Sequence, residues 1–172
     1  MLLALVGLLA PILQAHAQAS LESAIEATFL LKFPPFITWH QGLPPDSFTV
    51  CVLGDSPVTG LLRQAAAGLS VDQHPVRVRH VSAATASSGC QELYLAGSDP
   101  TAIATALAAT RGTPVLTVTD GQTDPTAKGI LNFVLTDGHV RFEVDLNAAA
   151  ANGISISSKL LSIAVHVNGS AH

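Results

Sequence analysis

The sequence predicts a single-domain α/β fold, a mixed parallel and antiparallel sheet flanked by helices, with a C-terminal hairpin and two short helices. Three observations predict it. Phe48-Thr49-Val50-Cys51-Val52-Leu53 is a continuous apolar run, the kind of strand that is buried on both faces of a sheet. Two strand-to-helix corners look alike: Gly54-Asp55-Ser56-Pro57 and Gly97-Ser98-Asp99-Pro100 each follow such a run and open an Ala/Leu-rich segment, which argues for βα units with part of the sheet parallel. Thr136-Asp137-Gly138 separates two apolar runs and is a strong hairpin signal.

The elements follow in order. Residues 20–33 read as the first helix, with Leu21, Ile25, Phe29 and Phe33 recurring every four residues on one face. Glu22 and Glu26 sit near the expected N-terminus, where carboxylates favour the helix dipole. Pro34-Pro35 ends the helix, because the residue before a proline avoids helical geometry. An extended segment, 36–39, and a loop with Pro44-Pro45 lead to the 48–53 strand. Asp55 or Ser56 caps the next helix, with Pro57 in its first turn and Gly68 as its stop. Residues 74–81 alternate as a strand, Val76, Val78 and His80 on one face and Arg77 and Arg79 on the other. A small-residue connection, 82–89, precedes a buried strand over 90–96, and a helix follows to about residue 110. A strand at 115–118, a polar loop at 120–128 and the hairpin strands 130–135 and 139–144 come next. Residues 146–152 form a short helix stopped by Gly153, and Ser157 or Ser158 caps a last helix from 159 to about 167.

Composition excludes several classes. The chain of 172 residues is 48% hydrophobic and 12% charged, with mean hydropathy +0.44, which rules out a disordered chain. Eight Lys and Arg against twelve Asp and Glu, with no basic run, argue against nucleic-acid binding. The first residues explain part of the apolar excess. The stretch 2–13 is almost unbroken apolar and is followed by Ala15-His16-Ala17, a small-x-small cleavage pattern after a run too short to span a membrane. Residues 1–17 therefore read as a signal peptide lacking a basic n-region, and 18–172 as the mature domain. Removing 17 of the 172 residues leaves 155 and keeps the net charge at −4. No later run is long enough to span a membrane, so the product is expected to be exported and soluble. In such a chain the even pair Cys51 and Cys90 makes one disulfide the default. Two buried free thiols are the alternative.

Catalytic and metal signals are absent from the pattern. His16, His40, His74, His80, His139, His166 and His172 never fall at a ligand spacing, so no metal is expected. The glycine corners are neither G-x-G-x-x-G nor a Walker A sequence, and they read as capped turns that leave a weak anion site open at a helix N-terminus. In Ser157-Ser158-Lys159 the residue three before Lys159 is Ile156, so no S-x-x-K exists. Asp120, Asp124, Glu143 and Asp145 are acids without a paired arrangement, and Glu143 is expected in a salt bridge with an arginine. No catalytic residue and no cofactor is assigned.

From residue 20 to 167 the sequence resembles the YfiR-like periplasmic proteins. The landmarks are Lys32-Phe33 with Trp39 beyond it, Phe48-x-Val50-Cys51-Val52-Leu53-Gly54, Cys90-Gln91-Glu92-Leu93-Tyr94 and Val115-Leu116-Thr117-Val118. They continue with Gly129-Ile130-Leu131-Asn132-Phe133-Val134, Val140-Arg141-Phe142-Glu143-Val144, Ala148-Ala149 and Gly153-Ile154-x-Ile156-Ser157-Ser158-Lys159-Leu160-Leu161. The resemblance implies a mixed α/β fold, a disulfide between Cys51 and Cys90, and no enzymatic activity. It implies a periplasmic negative regulator that binds the periplasmic domain of an inner-membrane diguanylate cyclase and so controls cyclic di-GMP and biofilm formation. An OmpA-like outer-membrane lipoprotein would sequester it. The sequence departs from the family pattern at His40, where proline is usual, at Asp145, where asparagine is usual, in Pro34-Pro35, and in lacking the second cysteine pair of some members.

The exposed part of Ile154, Ile156, Leu160, Leu161 and Ile163 is the expected partner surface, with core packing as the competing role of an apolar stripe. A second copy of the chain is a further candidate partner. The alternative functions are a small-ligand sensor, with a pocket at the strand ends near Gly54 or Gly97, and an exported hydrolase, which would require converging acids or Ser and His.

Overall fold

The computed structural model describes residues 10–44, 46–82, 88–97 and 99–170, and for residues 10–17 the backbone alone. The apolar stretch 2–9, Pro45, most of the 82–89 connection, Ser98 of the second corner and His172 lie outside the described residues, as do the side chains of the expected cleavage motif.

Helix α1 (Ala10–Lys32) ends in a 3-10 turn, Pro34–Phe36, that feeds strand β1 (Ile37–Trp39). Strand β2 (Phe48–Leu53), helix α2 (Val58–Ala66), and strands β3 (Ser70–Val71) and β4 (His74–Val81) follow. Strand β5 (Glu92–Leu95), helix α3 (Pro100–Thr110) and strand β6 (Leu116–Asp120) form the second βαβ unit. After a 3-10 turn at Pro125–Ala127 come the hairpin β7 (Leu131–Thr136) and β8 (His139–Asp145) and helix α4 (Leu146–Ala151). Strand β9 (Ile154–Ile156), helix α5 (Ser158–Leu161) and strand β10 (His166–Asn168) complete the order.

Among the described residues, eight strands form one sheet in the order β10-β8-β7-β6-β5-β2-β4-β3. The run β4-β2-β5-β6-β7 is parallel throughout, and β7–β8 is antiparallel. The alternation of side chains divides the core in two. Phe48, Val50, Val52, Tyr94, Leu116, Val118, Phe133 and Phe142 face α1, α2, β1 and α4. Cys51, Leu93, Leu95 and Val115 face α3. Central strands covered on both sides read as unbroken apolar runs, which is why 48–53 was legible as a strand.

Helix α1 departs from its expected start. It already runs from Ala10, the first described residue, so Glu22 and Glu26 lie well inside it rather than at its N-terminus. The upstream residues, rich in Ala, Leu and Gln, are good helix formers that carry the helix back past Ser20. Its buried stripe also shifts. Glu26, Ala27, Leu30 and Phe33 are buried, while Leu21 is 55% exposed and Ile25 and Phe29 only partly covered. Phe29 and Phe33 still reach the sheet, with ring centroids 5.2–6.0 Å from those of Phe133 and Phe142.

The expected last helix is also corrected. It stops after one turn at Leu161, and residues 166–168 form a strand parallel to β8. Helix and strand compete closely in a short apolar run, and the open edge of β8 decides it, with Val165 N donating to Phe142 O at 3.0 Å. Two short strands were not foreseen. Strand β9 pairs antiparallel with β1, Ile154 opposite Trp39 and Ile156 opposite Ile37. Strand β3 pairs with β4 through Asp72 and Gln73, both at positive φ. That two-residue turn carries neither Gly nor Asn, the usual signals, unlike Asp137-Gly138, whose φ values of 51° and 72° match the expected hairpin.

Cys51 and Cys90 form a disulfide with Cα atoms 5.8 Å apart. Both β4 and β5 lie beside β2, so the connection between them must cross it. The disulfide fastens the end of that crossing to the middle of β2. Arg79 on β4 supports the same point, its Nη2 donating to Ser88 O at 2.6 Å and lying 3.2 Å from Cys90 Sγ. Replacing Cys51 with Ser is expected to cost on the order of 2–4 kcal/mol, a fall of roughly 4–16 °C in Tm of the oxidised protein. An unchanged Tm would show that the bridge is not structural.

Candidate functional site

Helix α2 carries β2 to β4 across one face of the sheet, and α3 carries β5 to β6 across the other. The two connections therefore leave the sheet in opposite directions at the boundary between β2 and β5. In parallel sheets such a switch point opens a crevice outside the strand C-termini. Here it has a volume of about 520 Å³ and is lined by Asp55, Ser56, Tyr94, Gly97, Asp120 and Gln122 among others.

The local sequence builds this crevice. Gly54 has φ +91°, and a Cβ there would collide with the Ala96 carbonyl oxygen, so glycine alone lets the two corners come together. Asp99 caps α3, its Oδ1 accepting from Thr101 N at 2.9 Å and Ala102 N at 3.4 Å. At α2 the cap expected from Asp55 or Ser56 is reduced to one bond, Val58 N to Ser56 Oγ at 3.2 Å. Gln122 spans the crevice wall, its Nε2 donating to Gly97 O at 3.2 Å and Asp120 O at 2.9 Å. Buried Asn132 on β7 holds that loop: its Oδ1 accepts from Thr119 Oγ1 and Gln122 N, and its Nδ2 donates to Gln122 O. Glu143 joins the network from β8 and pairs with Lys128 Nζ at 2.6 Å. The expected arginine partner is thus corrected to lysine. Burial works to raise the Glu143 carboxyl, but hydrogen bonds from Lys128 and Asn132 leave it below its ordinary range.

Acids gather beneath the crevice. Tyr94 OH donates to Glu26 Oε2 at 3.2 Å, and both residues are buried. Burial, with the nearby Asp120, pushes the Glu26 carboxyl up to about 7. Burial and the neighbouring Glu26 and Asp120 push the Tyr94 phenol up as well, and burial with Glu22 raises Asp120. Exposed Asp124 goes the other way, lowered by the hydroxyl and amide of Thr126. Sequence reasoning picked out Asp120 and Asp124 as acids but did not join them to Glu26, which carried only a helix-dipole signal.

The expected partner surface is split by the structure. Ile154 and Leu160 are core residues, 2% and 3% exposed. Ile156 and Leu161 are half-buried against the same core. Ile163 is 59% exposed, and Val165 beside it is also exposed. Exposed Leu135 lies opposite Val140, two residues before the Phe142 that bonds Val165, so Leu135 and Val165 flank β8. Ser157 acts as the cap expected of it, its Oγ accepting from Lys159 N at 3.3 Å. Among the described residues no His, Cys, Asp and Glu side chains group as metal ligands, and no helix is long and apolar enough to cross a membrane.

The family model described as YfiR/HmsC-like matches residues 23–165. The chain belongs to the YfiR/HmsC-like family. No curated protein matches it. The matched region contains every strand from β1 to β9, both cysteines and the crevice. The departures from the YfiR-like pattern are accommodated locally. Pro34-Pro35 forms the 3-10 turn after α1, and His40 Nε2 is hydrogen-bonded to Ser155 Oγ at 2.8 Å. Asp145 caps α4, its Oδ1 accepting from Ala148 N at 2.9 Å.

One landmark residue of the family pattern stands out energetically. Glu92 on β5 is fully buried between Val50 and Leu116, and neither carboxylate oxygen has a hydrogen-bond partner. Burial holds its carboxyl well above the ordinary value. The folded state therefore favours the protonated acid, and the stability this confers is present below about pH 4.5 and is lost as pH rises. Glu92→Met is expected to reduce that alkaline loss and to stabilise the protein at pH 8 by on the order of 1–3 kcal/mol. A Met variant less stable than the parent at pH 8, by denaturant unfolding, would contradict this account of Glu92.

Proposed function

We propose that the protein is a periplasmic regulatory binding protein, exported with loss of residues 1–17, whose domain of residues 18–172 holds an inner-membrane diguanylate cyclase inactive by binding its periplasmic part. In this reading an OmpA-like outer-membrane lipoprotein relieves the inhibition by sequestering the regulator, and cyclic di-GMP then rises to promote biofilm formation. The observation that carries it is membership of the YfiR/HmsC-like family over residues 23–165. The role is regulatory rather than catalytic, and it requires neither metal nor cofactor.

The contact is assigned to the C-terminal segment. Ile154 and Leu160 anchor that segment in the core, while Ile163, with the exposed parts of Ile156 and Leu161, supplies the apolar face. Exposed apolar side chains beside a polar surface are the usual material of a protein contact. Ile163→Asp is expected to weaken binding to the cyclase periplasmic domain by roughly ten-fold or more, with Tm unchanged because the site is on the surface. Failure of the parent protein to bind that domain, with cyclic di-GMP unchanged on deletion, would remove the reading. Undiminished binding by the variant would remove the assigned surface.

The switch-point crevice favours a second reading, a small-ligand sensor. A polar metabolite bound there at one hundred times its Kd would add about 2.7 kcal/mol of stability, and Ser56→Tyr, which fills the crevice, would abolish the shift. A thermal-shift screen in which no compound moves Tm would eliminate this reading.

A further inference from the structure

Glu26 occupies a singular place on α1. From Gln18 onward the helix side chains are exposed or half-buried until Glu26, the first that the fold buries, at 8% exposure. The point where α1 enters the core is therefore a carboxyl group, followed at once by Ala27 and then Leu30 and Phe33. The carboxyl accepts one hydrogen bond, from Tyr94 OH at 3.2 Å, which favours the ionised form but is outweighed by burial and the neighbouring acids, and Tyr94 is also part of the crevice lining. The geometry points to a proton-operated latch at Glu26, which holds residues 18–26 of α1 against Tyr94 and the ends of β5 and β6 when the carboxyl is neutral and releases them when it ionises.

The surrounding charges favour release. Glu22 lies one turn earlier on the same helix, Asp120 ends β6, and both act on Glu26 as like charges. Asp55 and Asp124 stand at the crevice. The cations of the neighbouring elements lie elsewhere: Arg63 of α2 and His80 of β4 share the adjoining hollow with Asp55, and Lys32 closes the far end of α1. An ionised Glu26 thus adds a negative charge to an acidic, largely buried corner. The sign follows from its carboxyl being raised from 4.5 to about 7. The latch is closed at pH 5, and its stabilisation is lost as pH rises through about 7. Beyond Glu26 the Phe29 and Phe33 contacts keep the second half of the helix seated, so the opening is local.

Amide hydrogen exchange on the purified protein, corrected for intrinsic rates, tests this. Between pH 5.5 and 8.5, protection of residues 22–28 is expected to fall by roughly ten-fold or more, as for a carboxyl whose pKa is displaced by more than one unit. Protection of the β7–β8 hairpin should stay constant. Glu26→Gln should hold the segment protected at both pH values, and Asp120→Asn should move the midpoint down. Equal protection of the parent protein at both pH values, or a fall that persists in Glu26→Gln, would overturn the latch. If the Gln variant fails to fold, carbon-13 titration of the Glu26 carboxyl in the parent decides. A midpoint near 7 supports the latch and one below 5 overturns it.

Discussion

The architecture depends on β2 and β5 being covered on both faces. Val50, Val52 and Tyr94 point one way and Cys51, Leu93 and Leu95 the other, and all are shielded from water. Neither face can be left open, so each needs a helix layer. With right-handed crossovers the rule for parallel strands, α2 and α3 satisfy this from opposite sides while carrying the chain outward in opposite directions. The crevice between their N-termini is the geometric consequence. The disulfide solves a problem of the same arrangement, since the connection from β4 to β5 must cross β2 and is tied to it at Cys51.

Polar residues inside this frame fall into two groups. Asn132, Gln122 and Asn152 are buried but bonded, and each fastens a loop: Asn152 accepts from Gly112 N and donates to Val115 O, securing the end of α3. Such satisfied networks specify a single arrangement. Glu92 and Trp39 Nε1 are buried without a partner, and Glu26 is buried with one neutral donor. The core is therefore firmest around the 121–132 loop and most sensitive to protonation along β5 and the underside of α1.

Much of the fold was legible in the sequence. The strands at 48–53 and 74–81, the two corners, the Asp137-Gly138 hairpin and the Gly153 stop each carry a local signal with a physical cause. What was not legible depends on distant pairing. The pairing of β9 with β1 joins residues more than a hundred positions apart, and 166–168 becomes a strand because β8 has a free edge. The partner surface suffered from the same limit. Ile154, Leu160 and Ile163 look alike along the chain, and only the fold divides them into two core anchors and one exposed side chain. The Glu26 cluster was hidden because its members lie on α1, β5 and β6.

Family membership and the exposed Ile163 segment meet in the proposed account, a regulator that acts by contact. Its central claim is that contact with the cyclase suppresses synthesis of cyclic di-GMP. The direct measurement is the rate of cyclic di-GMP formation by the membrane-embedded cyclase as the purified protein is added on its periplasmic side. The account predicts a saturable fall in rate that addition of the OmpA-like lipoprotein reverses. A rate unchanged by saturating protein would contradict it.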